Sequence, residues 1–180
     1  MNAPDERTAV PPRTGAPEAM PVLSEGRFAG LQAFKQNVRL ILAQVAAQGA
    51  NELILCDSSF DGWPLGESAV VQSLTDWSKT GRKFTLVAQS YDRLPRQHPR
   101  FVRWRQTWDH IIECRRCGTA KNSAFPSVIW SPEWVLHHFE GERFEGMVNR
   151  QADRRFQLRE ALSEVMKASA PAFPATTLGL

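Results

Sequence analysis

Cysteine is scarce in this chain. Only Cys56, Cys114 and Cys117 occur among 180 residues, too few for the disulfide framework of a small secreted scaffold. Long apolar runs are missing as well. Nothing approaches the roughly 18 consecutive apolar residues that would propose a membrane span. Residues 1–25 contain no apolar stretch of the kind a secretory signal needs, so a cytoplasmic protein with reduced thiols is expected. No internal repeat is visible. What remains is ordinary globular composition, and a chain of this length can bury a core without disulfides or metals.

The formal charge of +3 is modest, but it is unevenly placed. Residues 93–116 carry Arg93, Arg96, Arg100, Arg103, Arg105, Arg115 and Arg116 against Asp109 and Glu113. That surplus exceeds the charge of the whole chain, so the rest is slightly acidic. A basic segment of this kind can face phosphate, an acidic partner or only water.

Prolines 4, 11, 12, 17 and 21 crowd residues 1–25, where large apolar side chains are few. Such a segment cannot offset its ordering entropy and is expected to be a disordered tail. Residues 170–180 are expected to be a second loose tail, leaving one domain over 26–169. Within it, Phe28, Leu31, Phe34, Val38, Ile41, Leu42 and Val45 recur at helical spacing and predict a helix over 27–48, ended by Gly49. Glu52–Cys56 reads as a buried strand and residues 57–65 as a loop. A helix follows over 68–79, then a strand over 83–88. Pro99 suits the first turn of a third helix reaching Trp108. A strand over 110–114, a hairpin, a further strand over 144–148 and a last helix over 150–168 complete the pattern. Phe156, Leu158, Leu162, Val165 and Met166 form the apolar side of that last helix. Alternating strands and helices predict an α/β fold with a mixed, mostly parallel central sheet flanked by helices, the hairpin supplying antiparallel edges.

The hairpin is the most specific segment. Ser127–Trp130 and Trp134–Phe139 flank the turn Ser131-Pro132-Glu133. It resembles the active-site hairpin of the phospholipase D superfamily, whose strand carries His-x-Lys-x4-Asp and whose return strand reads Trp-Val-Leu. Glu52-Leu-Ile-Leu-Cys-Asp57, Asp61-Gly-Trp-Pro-Leu-Gly66 and the 81–88 strand extend the resemblance over about 27–168, and resemble a short bacterial branch without the catalytic motif. The resemblance implies a single phospholipase D-like domain. It also implies a histidine nucleophile attacking phosphorus and a lysine steadying the phosphoryl charge, but Ala124, Pro126 and Ser131 stand at the His, Lys and Asp positions. The family's Gly-Ser falls on His138-Phe139. His98-Pro-Arg100 is the nearest approach to His-x-Lys, with Arg105 where the Asp belongs. Without an imidazole nucleophile a phosphohistidine cannot form, so no catalytic residue is expected.

The remaining constellations each have two readings. Arg96, Arg100, Arg103 and Trp104 lie in a helical segment, 96–108, able to bind phosphate through guanidinium forks and bases through aromatic faces. Equally, Phe101, Trp104 and Trp108 make a buried stripe whose arginines cover the wet side. Asp57, Ser58, Ser59 and Asp61 sit after the first core strand, where α/β sheets tend to bind ligands, and could hold a hard cation. Equally, Asp and Ser cap backbone amides in turns. Cys114-Arg-Arg-Cys117, even with His110 and Cys56, makes a weak zinc site, and no metal or cofactor is expected. His137 and His138 alternate across a strand and cannot serve one site.

The expectation is therefore a non-catalytic phospholipase D-like module that binds a protein partner, an acidic surface or a phosphate-bearing ligand. The hairpin edge suits a homodimer. The alternatives are a phosphodiester-processing enzyme with a relocated site near Asp57, Asp61 and Arg100, or a nucleic-acid-binding protein using the Arg96–Trp108 segment.

Overall fold

The computed structural model describes residues 22–118, 125–139 and 143–175. Residues 1–21 of the expected tail, Ala124 and residues 176–180 lie outside that set. The elements in chain order are β1 (Gly26–Phe28), α1 (Leu31–Ala47), β2 (Glu52–Cys56), α2 (Ser68–Ser78), β3 (Lys83–Ala88), α3 (Leu94–Gln97) and α4 (Pro99–Thr107). A 3-10 turn (Asp109–Ile111), β4 (Ile112–Cys117), β5 (Ser127–Trp130), β6 (Val135–His138), β7 (Gly146–Asn149), α5 (Ala152–Lys167) and β8 (Ser169–Pro171) follow.

Among the described residues, eight strands form one sheet, ordered β1-β7-β6-β5-β2-β3-β4-β8. Only β2–β3 and β3–β4 are parallel. The other five pairings are antiparallel, so the sheet is mixed, as expected, but mostly antiparallel rather than mostly parallel. The reason is the hairpin's position. β5 pairs with β2 and β6 pairs with β7, which places the hairpin inside the sheet. The edges are β1 and β8, two short strands that the helical periodicity of 27–48 and the prolines after 170 concealed. The hairpin edge expected to support a homodimer is thus already paired.

Both sheet faces are covered, which explains why β2 reads as an unbroken apolar run. Leu53 and Leu55 face α1, α2 and α4, in a core with Phe34, Ile41, Leu74, Trp77, Phe84, Leu86 and Phe101. Ile54 and Cys56 face α5, with Val87, Val128, Trp130, Leu158 and Leu162. Phe156 does not join them: it is 67% exposed, because two residues along a helix turn about 200° away from Leu158. Trp77 is fully buried and donates its Nε1–H to the Ala50 carbonyl at 2.6 Å. The fold reaches into both expected tails. Leu23 is buried before β1, and after β8 Ala172 and Phe173 pack on the core.

Candidate functional site

β2 ends at Cys56, and three side chains line up across the sheet just beyond it. The register sets Cys56 opposite Val128 and Ser127 opposite His138, so Asp57, Ser127 and His138 lie side by side on the α1 face. Asp57 Oδ1 accepts from the Ser59 and Phe60 amides at 3.0 and 2.7 Å. Its Oδ2 accepts from Ser127 Oγ at 2.6 Å. Ser127 Oγ also lies 3.1 Å from His138 Nδ1. A hydroxyl has one proton, and here it goes to the carboxylate. His138 Nδ1 therefore carries the hydrogen that Ser127 accepts, and Nε2 keeps its lone pair. That Nε2 is buried with no partner among the described residues, between the rings of Phe34 and Phe144 at 5.0 and 5.3 Å. Burial holds His138 below the ordinary imidazole range, partly offset by the charge of Asp57.

Asp57 thus acts as the cap of its own loop. The loop bends sharply at Phe60, a buried residue at φ 61°, a backbone conformation that bulky side chains seldom adopt. His98 braces it from the helical side. Its Nδ1 accepts from the Gly66 amide at 3.2 Å and its Nε2 donates to the Phe60 carbonyl at 3.3 Å. Burial lowers the affinity of His98 for a second proton. Asp61 pairs with Arg93 at 2.9 Å. Arg100 reaches the Gly66 carbonyl at 3.3 Å. Asp57, Asp61 and Arg100 are therefore held by three different sets of partners. Among the described residues no group of three or more His, Cys, Asp or Glu side chains is arranged to hold a metal.

The hairpin positions carry structure of their own. Ser131 is fully buried, donates to the Trp134 carbonyl at 2.9 Å and accepts the Trp134 amide at 3.0 Å, closing the turn. His137 faces α5, opposite to His138. Burial and nearby Arg154 and His138 keep it below the ordinary range. Cys114 and Cys117 lie three apart in β4 and so face opposite sides of the sheet.

The arginine segment divides into two roles. Arg105 was expected on the wet side, yet it is 5% exposed. Its Nε donates to Cys114 Sγ at 2.9 Å, its Nη2 to the Phe173 carbonyl, and its guanidinium lies 4.8 Å from the Phe173 ring centre. It ties α4 to β4 and to the chain beyond β8. Spacing could not reveal this, because the partner carbonyl is 68 residues away. Arg96, Arg100 and Arg103 are exposed. Arg100 and Arg103 are brought together with Trp104. Along with Val71 and Thr75 of α2 and with Thr107 and Trp108, they line a concavity of about 450 Å³ between α2 and α4. Arg96 lies outside it, on α3. The floor is aromatic, the rim carries two cations, and among the described residues no carboxylate belongs to the lining. Trp104 is 5% exposed, and its Nε1 has no acceptor among the described residues.

No protein-family model and no curated protein matches this chain. Solved structures do. TrmBL2, an archaeal chromatin protein with a novel mode of DNA binding, superposes with a TM-score of 0.59 at 13% identity, over 83% of this chain and 55% of that one. NucT from Helicobacter pylori gives 0.57 at 7% identity, over 83% and 99% of the two chains. Nuc from Salmonella typhimurium, a phospholipase D family member, gives 0.53 at 10% identity, over 84% and 100%. This chain thus spans about half of TrmBL2 and the full length of Nuc. The sheet order, the covered faces and these superpositions together identify a phospholipase D-like fold.

Proposed function

We propose that this protein is a non-catalytic phospholipase D-like module that binds the phosphate backbone of nucleic acid through the exposed arginines of α4. One observation carries the reading: Arg100 and Arg103 stand together on the rim of an aromatic-floored concavity that no carboxylate lines among the described residues. Guanidinium forks match phosphate oxygens in geometry as well as in charge. Of the similar structures, TrmBL2 is a DNA-binding protein, which accords with the reading. A relocated phosphodiesterase centre at Asp57, Asp61 and Arg100 has less support. Asp57 spends both carboxylate oxygens on internal bonds, and Asp61 pairs with Arg93.

The test is a titration of a labelled oligonucleotide, followed by anisotropy across a salt series. Affinity should fall with salt, each phosphate contact contributing about 0.7 to 0.9 to the logarithmic slope. Arg100→Ala with Arg103→Ala should flatten that slope by roughly 1 to 2. No binding at low ionic strength removes the proposal.

A further inference from the structure

The concavity between α2 and α4 has a chemistry that a site for phosphate alone does not need. Its rim is cationic, but its floor is apolar and aromatic, built from Val71, Trp104 and Trp108. Trp108 ends α4 as its C-cap, packs partly on the core and keeps some of its ring exposed. The His110 ring lies 6.0 Å from it at 34°. Trp104 belongs to the packed core through Phe84 and Phe101, at 5.3 and 5.4 Å, so the floor is rigid. Arg100 and Arg103 are one helical turn apart, about 5–6 Å between their Cβ atoms. That spacing suits successive phosphates on one strand.

A duplex keeps its base faces stacked inside and offers a shallow helical groove only phosphates and base edges. A single strand offers both phosphate and an open π-face, and every base has one. We infer that the ligand of this groove is single-stranded nucleic acid, with one base stacked on Trp108 and its flanking phosphates on Arg100 and Arg103. Two cations and one platform cover only one or two nucleotides. Sequence preference should therefore be weak, since stacking tolerates any base. The inference rests on the proposed function, because it names the form of nucleic acid that the same arginines hold.

The experiment compares a single-stranded oligonucleotide with its duplex, for the parent chain and for Trp108→Leu, Trp108→Phe and Arg100→Ala/Arg103→Ala. Trp108 also packs against the core, so circular dichroism and thermal unfolding must show that each variant keeps its fold. The single strand should bind about tenfold more tightly than the duplex. Trp108→Leu, which keeps apolar bulk without a π-face, should lose about tenfold for the single strand and little for the duplex. Trp108→Phe should restore most of that loss. Quenching of tryptophan emission by the single strand, absent in Trp108→Leu, would support stacking directly. Equal affinity for the two forms, with sensitivity to the arginine pair but not to Trp108→Leu, overturns this inference and leaves phosphate binding standing. Failure of both forms to bind overturns the two together.

Discussion

Asp57→Ala would remove at one stroke the acceptor for two backbone amides and for a buried hydroxyl. Loss of a cap and of a buried hydrogen bond should cost about 2–4 kcal/mol in a urea titration. Asp57→Asn, which keeps acceptor capacity, should cost less. This outcome also separates a structural Asp57 from a catalytic one, because a catalytic carboxylate can be replaced with little loss of stability. The sequence offered both readings of this residue, a cation ligand and a turn cap, and the geometry matches the cap. Ser127 and His138 were not foreseen as its neighbours. Their meeting depends on β5 pairing with β2, a contact 70 residues apart in the chain that no local pattern announces. The one available hint was parity: Asp57, Ser127 and His138 share the face of Leu55, Ile129 and Leu136 in their strands. Arg100, Arg103 and Trp104, by contrast, could be read from helical spacing alone.

Gly146 shows what an edge element needs. β1 is held to β7 by three residue pairs, Gly26–Val148, Arg27–Met147 and Phe28–Gly146. A Cβ at Gly146 would stand 2.3 Å from Phe28 Cζ and 2.5 Å from the His137 carbonyl oxygen. The ring could swing away, but the backbone oxygen of the neighbouring strand cannot. Gly146→Ala should therefore loosen the outer sheet, where β7 carries β1 and meets β6, before β2 and β3. Hydrogen exchange is expected to accelerate at residues 26–28 while β2 and β3 stay protected. Uniform protection across all strands would show that β1 tolerates the change. The edge strands are also where the sequence misled. The apolar period of α1 ran through Phe28, so a strand was hidden inside an apparent helix. β8 is three residues long and ends in a proline, which is acceptable at an edge but looks like a tail. The interior strands β2 and β3 matched their expected bounds, because strands buried on both faces show continuous apolar runs.

Three buried or half-buried histidines give the whole molecule a pH response. His98, His137 and His138 are all held below the ordinary imidazole value, chiefly by burial. In the unfolded chain they take up a proton as the pH drops through about 6.5. In the fold they resist it, so the unfolded state binds more protons and stability falls. The loss begins near the unfolded value and continues down to the folded ones. Urea midpoints should thus decline between pH 7 and pH 5, and a variant with His98, His137 and His138 all replaced by Gln should show a shallower decline. An unchanged slope would mean that other groups govern the response. The domain as a whole was legible as an α/β sandwich, and the hairpin motif pointed to the right fold. Its place in the sheet was not legible, because strand order depends on distant pairings.

That strand order has a consequence for biosynthesis. β2, β3 and β4 leave the ribosome before the hairpin, with their helices, but the outer side of β2 has no partner until β5 is made about 75 residues later. β1 waits longer still for β7, the better part of the chain. A nascent chain therefore carries an open, apolar strand edge through much of its synthesis. The hairpin, through β5, is the piece that covers the open side of β2.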